Sequence, residues 1–271
     1  MLTETEIAAH LDALAKPPGS MGRLERLAAE LARIQQRLDP VTRPRRLILF
    51  AGDHGVVAEG VSAWPQAVTG AMMATIAAGR ATSSALAAEQ DCALDLIDAG
   101  AAHPPLGATA PAPGLLAGGT ASLAHGPAMD ADQFEAAWGL GKAAAHRAVQ
   151  DSMAVLLLGE MGIGNTTPAA CLTALLTGAS AKLATGRGAG ADDAAVARKQ
   201  AIVAAATARA AAWVAGDPRA AIAEVAGFEI VAMAGCFAEA AQRGMTLLLD
   251  GYVATAAALV AERLCPGTAR M

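Results

Sequence analysis

The stretch 153–170 holds the residues whose types and spacing point most directly to chemistry. Positions 154–158 are a short apolar run, which predicts a strand buried on both faces, and positions 159–165 are a loop punctuated by glycine. A helix should follow, because Thr166 or Thr167 can cap it and a proline suits its first turn. Unpaired backbone amides and the positive end of the helix dipole would then point at one spot, which indicates a site for a phosphate-bearing substrate.

Glu160 gives this stretch a second chemical function. A carboxylate at the carboxyl end of a buried strand lies where open α/β sheets bind their ligands. It would repel a phosphate, so we expect it to hold sugar hydroxyls or to handle a proton beside the phosphate. The alternative interpretation is an ordinary strand-to-helix turn whose glycines serve only backbone geometry.

A second glycine loop, T-G-R-G-A-G at 185–190, precedes a helix that Asp192 or Asp193 would cap. Lys199 on the first turns of that helix is either exposed, as most lysines are, or reaches a phosphate. The loop does not follow a clear strand, and the segment 162–167 lacks the last glycine of the dinucleotide fingerprint. A nicotinamide-dependent oxidoreductase is therefore disfavoured.

An Asp-His pair follows the predicted strand 47–51. Adjacent side chains usually point apart, and no suitably placed serine suggests a catalytic triad. We interpret Asp53 as a ligand or loop organiser and His54 as a hydrogen-bonded structural histidine. Trp64, which precedes a proline in a loop, either walls a pocket or anchors packing.

Strands alternate with helices along the chain, which predicts an α/β fold with a parallel, Rossmann-like sheet flanked by helices. Two helices before position 44 lie outside this repeat and predict a small helical accessory domain. We divide the chain into 1–43, 44–251 and 252–271. The segment 103–129 is rich in Pro, Gly and Ala and predicts a long excursion over the surface. The predicted strands are 47–51, 92–97, 154–158 and 246–249, and the acids at their carboxyl edge are Asp53, Asp98, Glu160 and Asp250.

Composition narrows the classes of protein. Hydrophobic residues make up 54% of the 271 residues and aromatic residues only 3%, and the net charge is −5. These values indicate a packed globular protein and argue against a nucleic-acid partner. Four widely spaced cysteines suit a reducing cytosol and provide no zinc-site spacing. The N-terminus does not resemble a signal peptide and the apolar run 253–261 is too short to span a bilayer, so we expect a cytoplasmic protein without membrane contact.

Five segments in one order closely resemble the nicotinate-nucleotide–dimethylbenzimidazole phosphoribosyltransferases, a family that acts in cobalamin assembly. The resemblance implies transfer of phosphoribose from nicotinate mononucleotide to 5,6-dimethylbenzimidazole, which yields α-ribazole 5′-phosphate and nicotinate. It also implies a homodimer without a metal or cofactor. The segments are K-P-P-G-S-M-G-R-L-E (16–25), A-G-D-H-G-V (51–56), E-G-V-S-A-W-P-Q-A-V-T (59–69), G-E-M-G-I-G-N-T-T-P-A-A (159–170) and L-L-D-G-Y-V-A-T-A-A-A-L (248–259).

The resemblance also assigns roles to residues. Glu160 would face the ribose or the base, and Trp64 and Met72 would border the flat benzimidazole. Asp53 and Asp250 complete the predicted substrate site as acids at the sheet edge. The predicted 5′-phosphate site consists of Gly162, Gly164, Asn165, Thr166, Thr167, Lys199 and the glycine loop that contains Gly188.

One part of the family's chemistry has no counterpart in this sequence. In the family, the general base is a glutamate in an R-L-G-E-G-T-G-like segment near the C-terminus, and this sequence ends before such a segment. The catalytic residue is therefore unassigned, with Glu160 as the candidate substitute base. The sequence leaves open an active enzyme, a catalytically impaired nucleotide-binding member and a fragment of a longer product.

Overall fold

Four parallel strands position the rest of the chain in the computed structural model, which describes residues 1–105 and 114–270. They run in the order β2-β1-β3-β4. Every pairing is parallel, which confirms the predicted α/β class. The strands are β1 (Arg45–Ala51), β2 (Cys92–Asp98), β3 (Val155–Met161) and β4 (Thr246–Leu248).

Alternation along β1 separates two apolar layers. Ile48 and Phe50 belong to the larger buried cluster, whereas Leu49 and Ala51 belong to a smaller cluster on the other side of the sheet. Successive side chains of a strand point to opposite faces, so each strand contributes to both layers. Because both faces are covered, the strands are the continuous apolar runs that the sequence shows.

Eleven α-helices accompany the sheet in the described part of the chain. Short 3-10 segments occur at Gly55–Glu59, Gly114–Leu116 and Thr268–Arg270. No helix of the described residues is long and apolar enough to cross a membrane. The α-helices are α1 (Glu4–Ala13), α2 (Arg23–Gln35), α3 (Ala67–Ala77), α4 (Thr82–Glu89), α5 (Ala131–Gln150), α6 (Thr166–Thr177), α7 (Ala181–Ala184), α8 (Asp193–Ala211), α9 (Pro218–Ala223), α10 (Phe228–Gln242) and α11 (Tyr252–Leu264).

Helix α10 is the centre of the larger layer, and it packs against α5, α11 and the sheet. Its residues from Phe228 to Ala241 are all buried. The crossing with α5 is close because glycine stands on both helices. A Cβ on Gly141 would lie 1.8 Å from the Ala232 carbonyl oxygen, and a Cβ on Gly235 would lie 2.4 Å from that of Trp138. The small side chains of this sequence therefore serve tight helix packing.

Two helices precede position 44, as predicted. Thr3 and Glu6 form a capping box at the start of α1. Helix α2 leaves Leu24 and Leu27 exposed. It contacts the sheet region through Gln35 Nε2, which donates to Thr246 Oγ1 at 3.0 Å.

Two further expectations need correction near the sheet edge. Strand β3 extends to Met161, so Glu160 lies in the strand and not in the following loop, because its backbone pairs with that of Phe50. The predicted excursion 103–129 is not confined to the surface. Positions 106–113 lie outside the described residues, but Leu116 and Leu123 beyond them are buried.

Candidate active site

Lys199 on α8 is a buried cation directed at the start of α6. Its side chain is only 1% exposed, and its Nζ donates to Thr166 Oγ1 at 2.5 Å and to the Gly186 carbonyl at 3.5 Å. Burial lowers the pKa of Lys199 to about 8. Lys199 thus bonds to a hydroxyl and a backbone carbonyl, rather than to a carboxylate, in the part of the chain that the structure describes.

Gly188 brings the second glycine loop onto the same spot. It has a φ of +55°, and a Cβ added to it would lie 2.9 Å from Thr166 Oγ1 and 3.7 Å from Lys199 Nζ. Asp192, rather than Asp193, caps α8 by accepting from the Ala195 amide. The three predicted phosphate-site residues Thr166, Gly188 and Lys199 therefore lie together.

The loop between β3 and α6 uses several of its own amides internally. The Ile163 amide donates to Thr69 Oγ1 at 3.1 Å, and the Asn165 and Thr167 amides donate to the carbonyls of Gly162 and Gly164. Fewer backbone amides of this loop are therefore free to bind an anion than the sequence predicts. Buried Thr167 has no hydrogen-bond partner for its hydroxyl among the described residues.

The expected threonine cap of α6 is wrong. Asn165 occupies the N-cap position and Thr166 and Thr167 are the first helical residues. The Asn165 side chain makes no cap hydrogen bond, and its Nδ2 donates to Glu160 Oε2. Asn165 therefore connects the helix start to the acid on β3.

Glu160 is the half-buried acid of this edge. Burial raises its pKa to about 7, and the nearby carboxylate of Glu229 contributes to the rise, while His54 and Asn165 act in the opposite direction. A carboxyl group with this pKa exchanges a proton near neutral pH. Its environment thus suits the proton-handling role that the sequence predicts.

His54 is buried, as expected for a structural histidine. Its Nε2 lies 3.0 Å from Glu229 Oε1. Burial opposes a charge on His54, yet the Glu229 carboxylate raises the pKa of the imidazole above its ordinary value. The Gln66 side chain donates to the His54 carbonyl at 3.0 Å and fixes the backbone here.

The other acids of the predicted edge have different surroundings. Buried Asp53 accepts from Thr69 Oγ1 at 2.7 Å and from the Ala102 amide at 2.8 Å, which is the loop-organising arrangement. Asp98 is likewise buried and accepts two backbone amides of the loop after β2. Asp250 is exposed beyond the short strand β4. Glu160 is thus the acid of this group whose carboxylate is paired with a residue of the α6 start.

Trp64 joins the loop 59–69 to the second glycine loop. Its indole is 52% exposed, and Nε1 donates to the Ala189 carbonyl at 3.0 Å. Met72 is half-buried on α3, beside fully buried Met73. The predicted base-binding side chains are therefore partly accessible. The hydrogen-bond partner of Trp64, Ala189, is the residue that follows Gly188.

Sequence reasoning missed Glu229, which is fully buried in the first turn of α10. An acid in that position ordinarily complements the helix dipole, so its type and spacing gave no signal of a partner. Only the fold brings it to His54. Among the described residues, no cluster of three or more His, Cys, Asp or Glu side chains could hold a metal ion.

Fold and site together define a class. A parallel α/β sheet carries a glycine loop, a buried lysine and a titratable acid beside the segment that follows a central strand, where α/β enzymes bind their ligands. Comparison with known proteins makes the class specific. The family model described as Phosphoribosyltransferase, DBI_PRT, matches residues 2–271.

Named relatives agree with this match. The chain is 44% identical over 270 residues to the nicotinate-nucleotide–dimethylbenzimidazole phosphoribosyltransferase of Ectopseudomonas mendocina, covering 98% of this chain and 76% of that one. It is 42% identical over 261 residues to the protein of the same name from Thermus thermophilus, covering 95% and 76%. The crystal structure of CobT from Thermus thermophilus superposes with a TM-score of 0.93 at 40% identity, covering 98% of this chain and 80% of that one. The chain belongs to the DBI_PRT phosphoribosyltransferase family, whose members are pentosyltransferases.

Proposed function

We propose that this chain transfers the phosphoribosyl group of nicotinate mononucleotide to 5,6-dimethylbenzimidazole, in the assembly of the lower ligand of cobalamin. A benzimidazole nitrogen attacks the anomeric carbon of the ribose from the face opposite nicotinate. The bond from that carbon to the nicotinate nitrogen breaks, and its electron pair leaves with nicotinate. The anomeric centre is inverted, and the second benzimidazole nitrogen loses its proton, so the products are α-ribazole 5′-phosphate and nicotinate.

The observation that carries this proposal is the contact between Lys199 and Thr166 beneath Gly188. A buried ammonium whose partners are a hydroxyl and a carbonyl has charge left for an anion. The 5′-phosphate of a mononucleotide supplies such an anion, and phosphate oxygens accept strong charge-assisted hydrogen bonds from lysine. We assign this cluster to the phosphate.

Glu160 is our candidate for the group that meets the ribose or accepts the benzimidazole proton. General bases work best when their pKa lies near the working pH, and that of Glu160 is about 7. Trp64 and Met72 on the neighbouring loop and helix would border the flat base. Asp53 supports the site through the loops it organises, and Asp250 would contact substrate only from the exposed end of β4.

Nicotinate release tests the proposal directly. The chain is incubated with nicotinate mononucleotide in the presence and absence of 5,6-dimethylbenzimidazole, and nicotinate is separated and quantified. We expect release only when the benzimidazole is present. Neither release nor calorimetric binding of the mononucleotide at millimolar concentration would contradict the proposal. Binding without release would favour the alternative, a nucleotide-binding member that lacks the general-base glutamate of the family.

Assembly, location and domain division extend the proposal. We infer a cytoplasmic homodimer from the family resemblance, with 1–43 as helices of a small domain, 44–251 as the large α/β domain and 252–271 as a helical continuation. Sedimentation equilibrium should give a particle of two chains. A single-chain particle at every concentration would contradict the dimer without affecting the assignment of the phosphate site.

A further inference from the structure

Tyr252 attaches the second glycine loop to the start of helix α11. Its hydroxyl donates to the Ala184 carbonyl at 2.8 Å, and Ala184 is the last residue of α7, immediately before the loop 185–190. Burial raises the pKa of the Tyr252 phenol, so at neutral pH the hydroxyl keeps the proton that it donates. Tyr252 is the single tyrosine of the sequence, and it has no part in the reaction as proposed above.

A second aromatic residue holds the other end of the same loop. Trp64 Nε1 donates to the Ala189 carbonyl at 3.0 Å. The two donors lie 68 and 125 residues away from their acceptors along the chain. Side chains from distant segments therefore hold the backbone of the glycine loop near both of its ends.

Between these two hydrogen bonds, the loop has few packing contacts. A Cβ added to Gly186 or to Gly190 would have nothing within 4 Å, and Leu183, just before the loop, is 80% exposed. The close approach to the phosphate cluster is made by Gly188, whose added Cβ would lie 2.9 Å from Thr166 Oγ1. A segment with few buried contacts opens easily, so the position of Gly188 depends on the hydrogen bonds that hold the loop.

We propose that Tyr252 is a positioning residue for the nucleotide phosphate, which acts by fixing the start of the glycine loop so that Gly188 stays beside Thr166 and Lys199. A loop that is already fixed loses less conformational freedom when a ligand binds, and this raises affinity. The inference rests on the proposed function, which assigns this cluster to the 5′-phosphate. It assigns no direct substrate contact to Tyr252, and it confines the effect of Tyr252 to ligands that carry the phosphate.

Two ligands that differ only in the phosphate test the inference. Binding of nicotinate mononucleotide and of nicotinate riboside to the full chain is measured by calorimetry at pH 7, with and without Tyr252→Phe, which keeps the ring and removes the hydroxyl. Loss of one hydrogen bond typically lowers affinity about two- to ten-fold. We expect this loss for the mononucleotide and no change for the riboside. The matched control is Thr255→Val, which removes another 2.8 Å hydroxyl-to-carbonyl bond of α11, to Gly251, and should change neither affinity.

Amide hydrogen exchange reports the position of the loop without any ligand. In Tyr252→Phe, the amides of 185–190 should exchange faster than in the unaltered chain, while those of 253–264 should not change. If Tyr252→Phe does not fold, 3-fluorotyrosine in place of the single tyrosine gives one fluorine resonance. We expect nicotinate mononucleotide to shift that resonance, and an unmoved resonance at saturation would overturn the inference.

The outcomes separate the inference from the proposed function. If the unaltered chain binds the mononucleotide no more tightly than the riboside, the phosphate assignment fails and the inference fails with it. Phosphate-dependent binding that Tyr252→Phe leaves at full strength overturns the inference alone. An equal loss of affinity for both ligands, or unchanged exchange in the loop, also overturns it, because Tyr252 would then serve the general stability of the chain.

Discussion

Lys199 and Glu160 are both withdrawn from water beside the loop that follows β3, yet their surroundings compensate them differently. Lys199 contacts a hydroxyl and a carbonyl, whereas Glu160 is coupled to the buried pair of His54 and Glu229. Burial shifts both pKa values toward neutrality, to about 8 and about 7. The group around Lys199, the lysine side of the site, has no carboxylate partner for the ammonium among the described residues, so an anionic ligand can supply the missing negative charge. At Glu160, burial and the nearby Glu229 carboxylate raise the pKa of the carboxyl group, so what this group can exchange near neutral pH is a proton.

This difference predicts separable losses of function. Replacing the acid should slow the chemical step, and replacing the cation should weaken nucleotide binding. The largest effect is expected for Glu160→Gln, which keeps the side-chain shape and removes the base. Loss of a general base typically costs about 10²–10⁴-fold in rate, while nucleotide affinity should hold or rise slightly because a negative charge near the phosphate is removed. Nicotinate release and calorimetry measure the two quantities.

The control for this variant is Glu89→Gln, at an exposed position of α4. It should change neither quantity. If Glu160→Gln released nicotinate at the unaltered rate, Glu160 would not be the base, because another group would then take the proton.

Lys199→Met should give the next largest effect. Removing one partner of a buried charge pair costs about 2–5 kcal/mol in binding, so we expect affinity for nicotinate mononucleotide to fall about 100-fold or more. Calorimetry at pH 7 measures the change. Lys182→Met on α7 is the matched control, since this lysine is exposed. Equal losses in the two variants would place the phosphate elsewhere.

The same variant carries a pH signature in the absence of ligand. The pKa of Lys199 falls from 10.5 to about 8 on folding, so the unfolded chain binds more protons between these values. The free energy of unfolding should therefore rise with pH across that window, by at most about 3 kcal/mol. Lys199→Met should lose this dependence and be more stable at pH 7. Urea unfolding at pH 7 and pH 10 provides the measurement.

How far sequence reasoning reaches differs between the same two regions. The lysine side was predictable, because glycine loops, hydroxyls and a lysine near a helix start are local patterns with a shared purpose. The parallel sheet followed from apolar runs alternating with helices. The surroundings of Glu160 were predictable only in part. Glu160 lies at a strand end, which indicates a ligand site, whereas Glu229 lies in an ordinary first helical turn, which indicates no partner. Its contact with His54 depends on how α10 packs, which no local pattern encodes.

The local errors have the same origin. Strand β3 extends beyond its apolar run, because its backbone pairs with that of β1 as far as Met161. At the start of α6, the N-cap residue is Asn165, and its side chain bonds to Glu160 of β3 rather than to the helix amides. Leu116 is buried because the chain near Thr120 pairs with the backbone around His54. In each case a tertiary partner overrides the local preference.

A smaller effect is expected where the glycine loop meets Thr166. Gly188→Ala places a Cβ 2.9 Å from Thr166 Oγ1 and strains a φ of +55°, so Thr166 must move away from Lys199. We expect nucleotide affinity to fall about ten-fold and stability to fall by about 1–2 kcal/mol. Gly190→Ala separates the two causes, because that residue has a φ of +98° but nothing within 4 Å of its added Cβ. It should lose stability and retain affinity, and equal affinity losses would rule out the Thr166 contact as the cause.

The smallest expected effect concerns the loop that would border the base. Trp64→Phe keeps an aromatic ring and removes the hydrogen bond from Nε1 to the Ala189 carbonyl. One such bond contributes about 0.5–1.5 kcal/mol, so affinity for nicotinate mononucleotide should fall about two- to ten-fold as the glycine loop loosens above Lys199. The titration midpoint of the Glu160 carboxyl group should not move, because the hydrogen bond of Trp64 positions only the glycine loop near Lys199. Trp213→Phe is the control, at a tryptophan that is also about half exposed. A Glu160 midpoint that shifts in Trp64→Phe would mean that the loop serves both charges, and the separation between the cation and the acid would no longer hold.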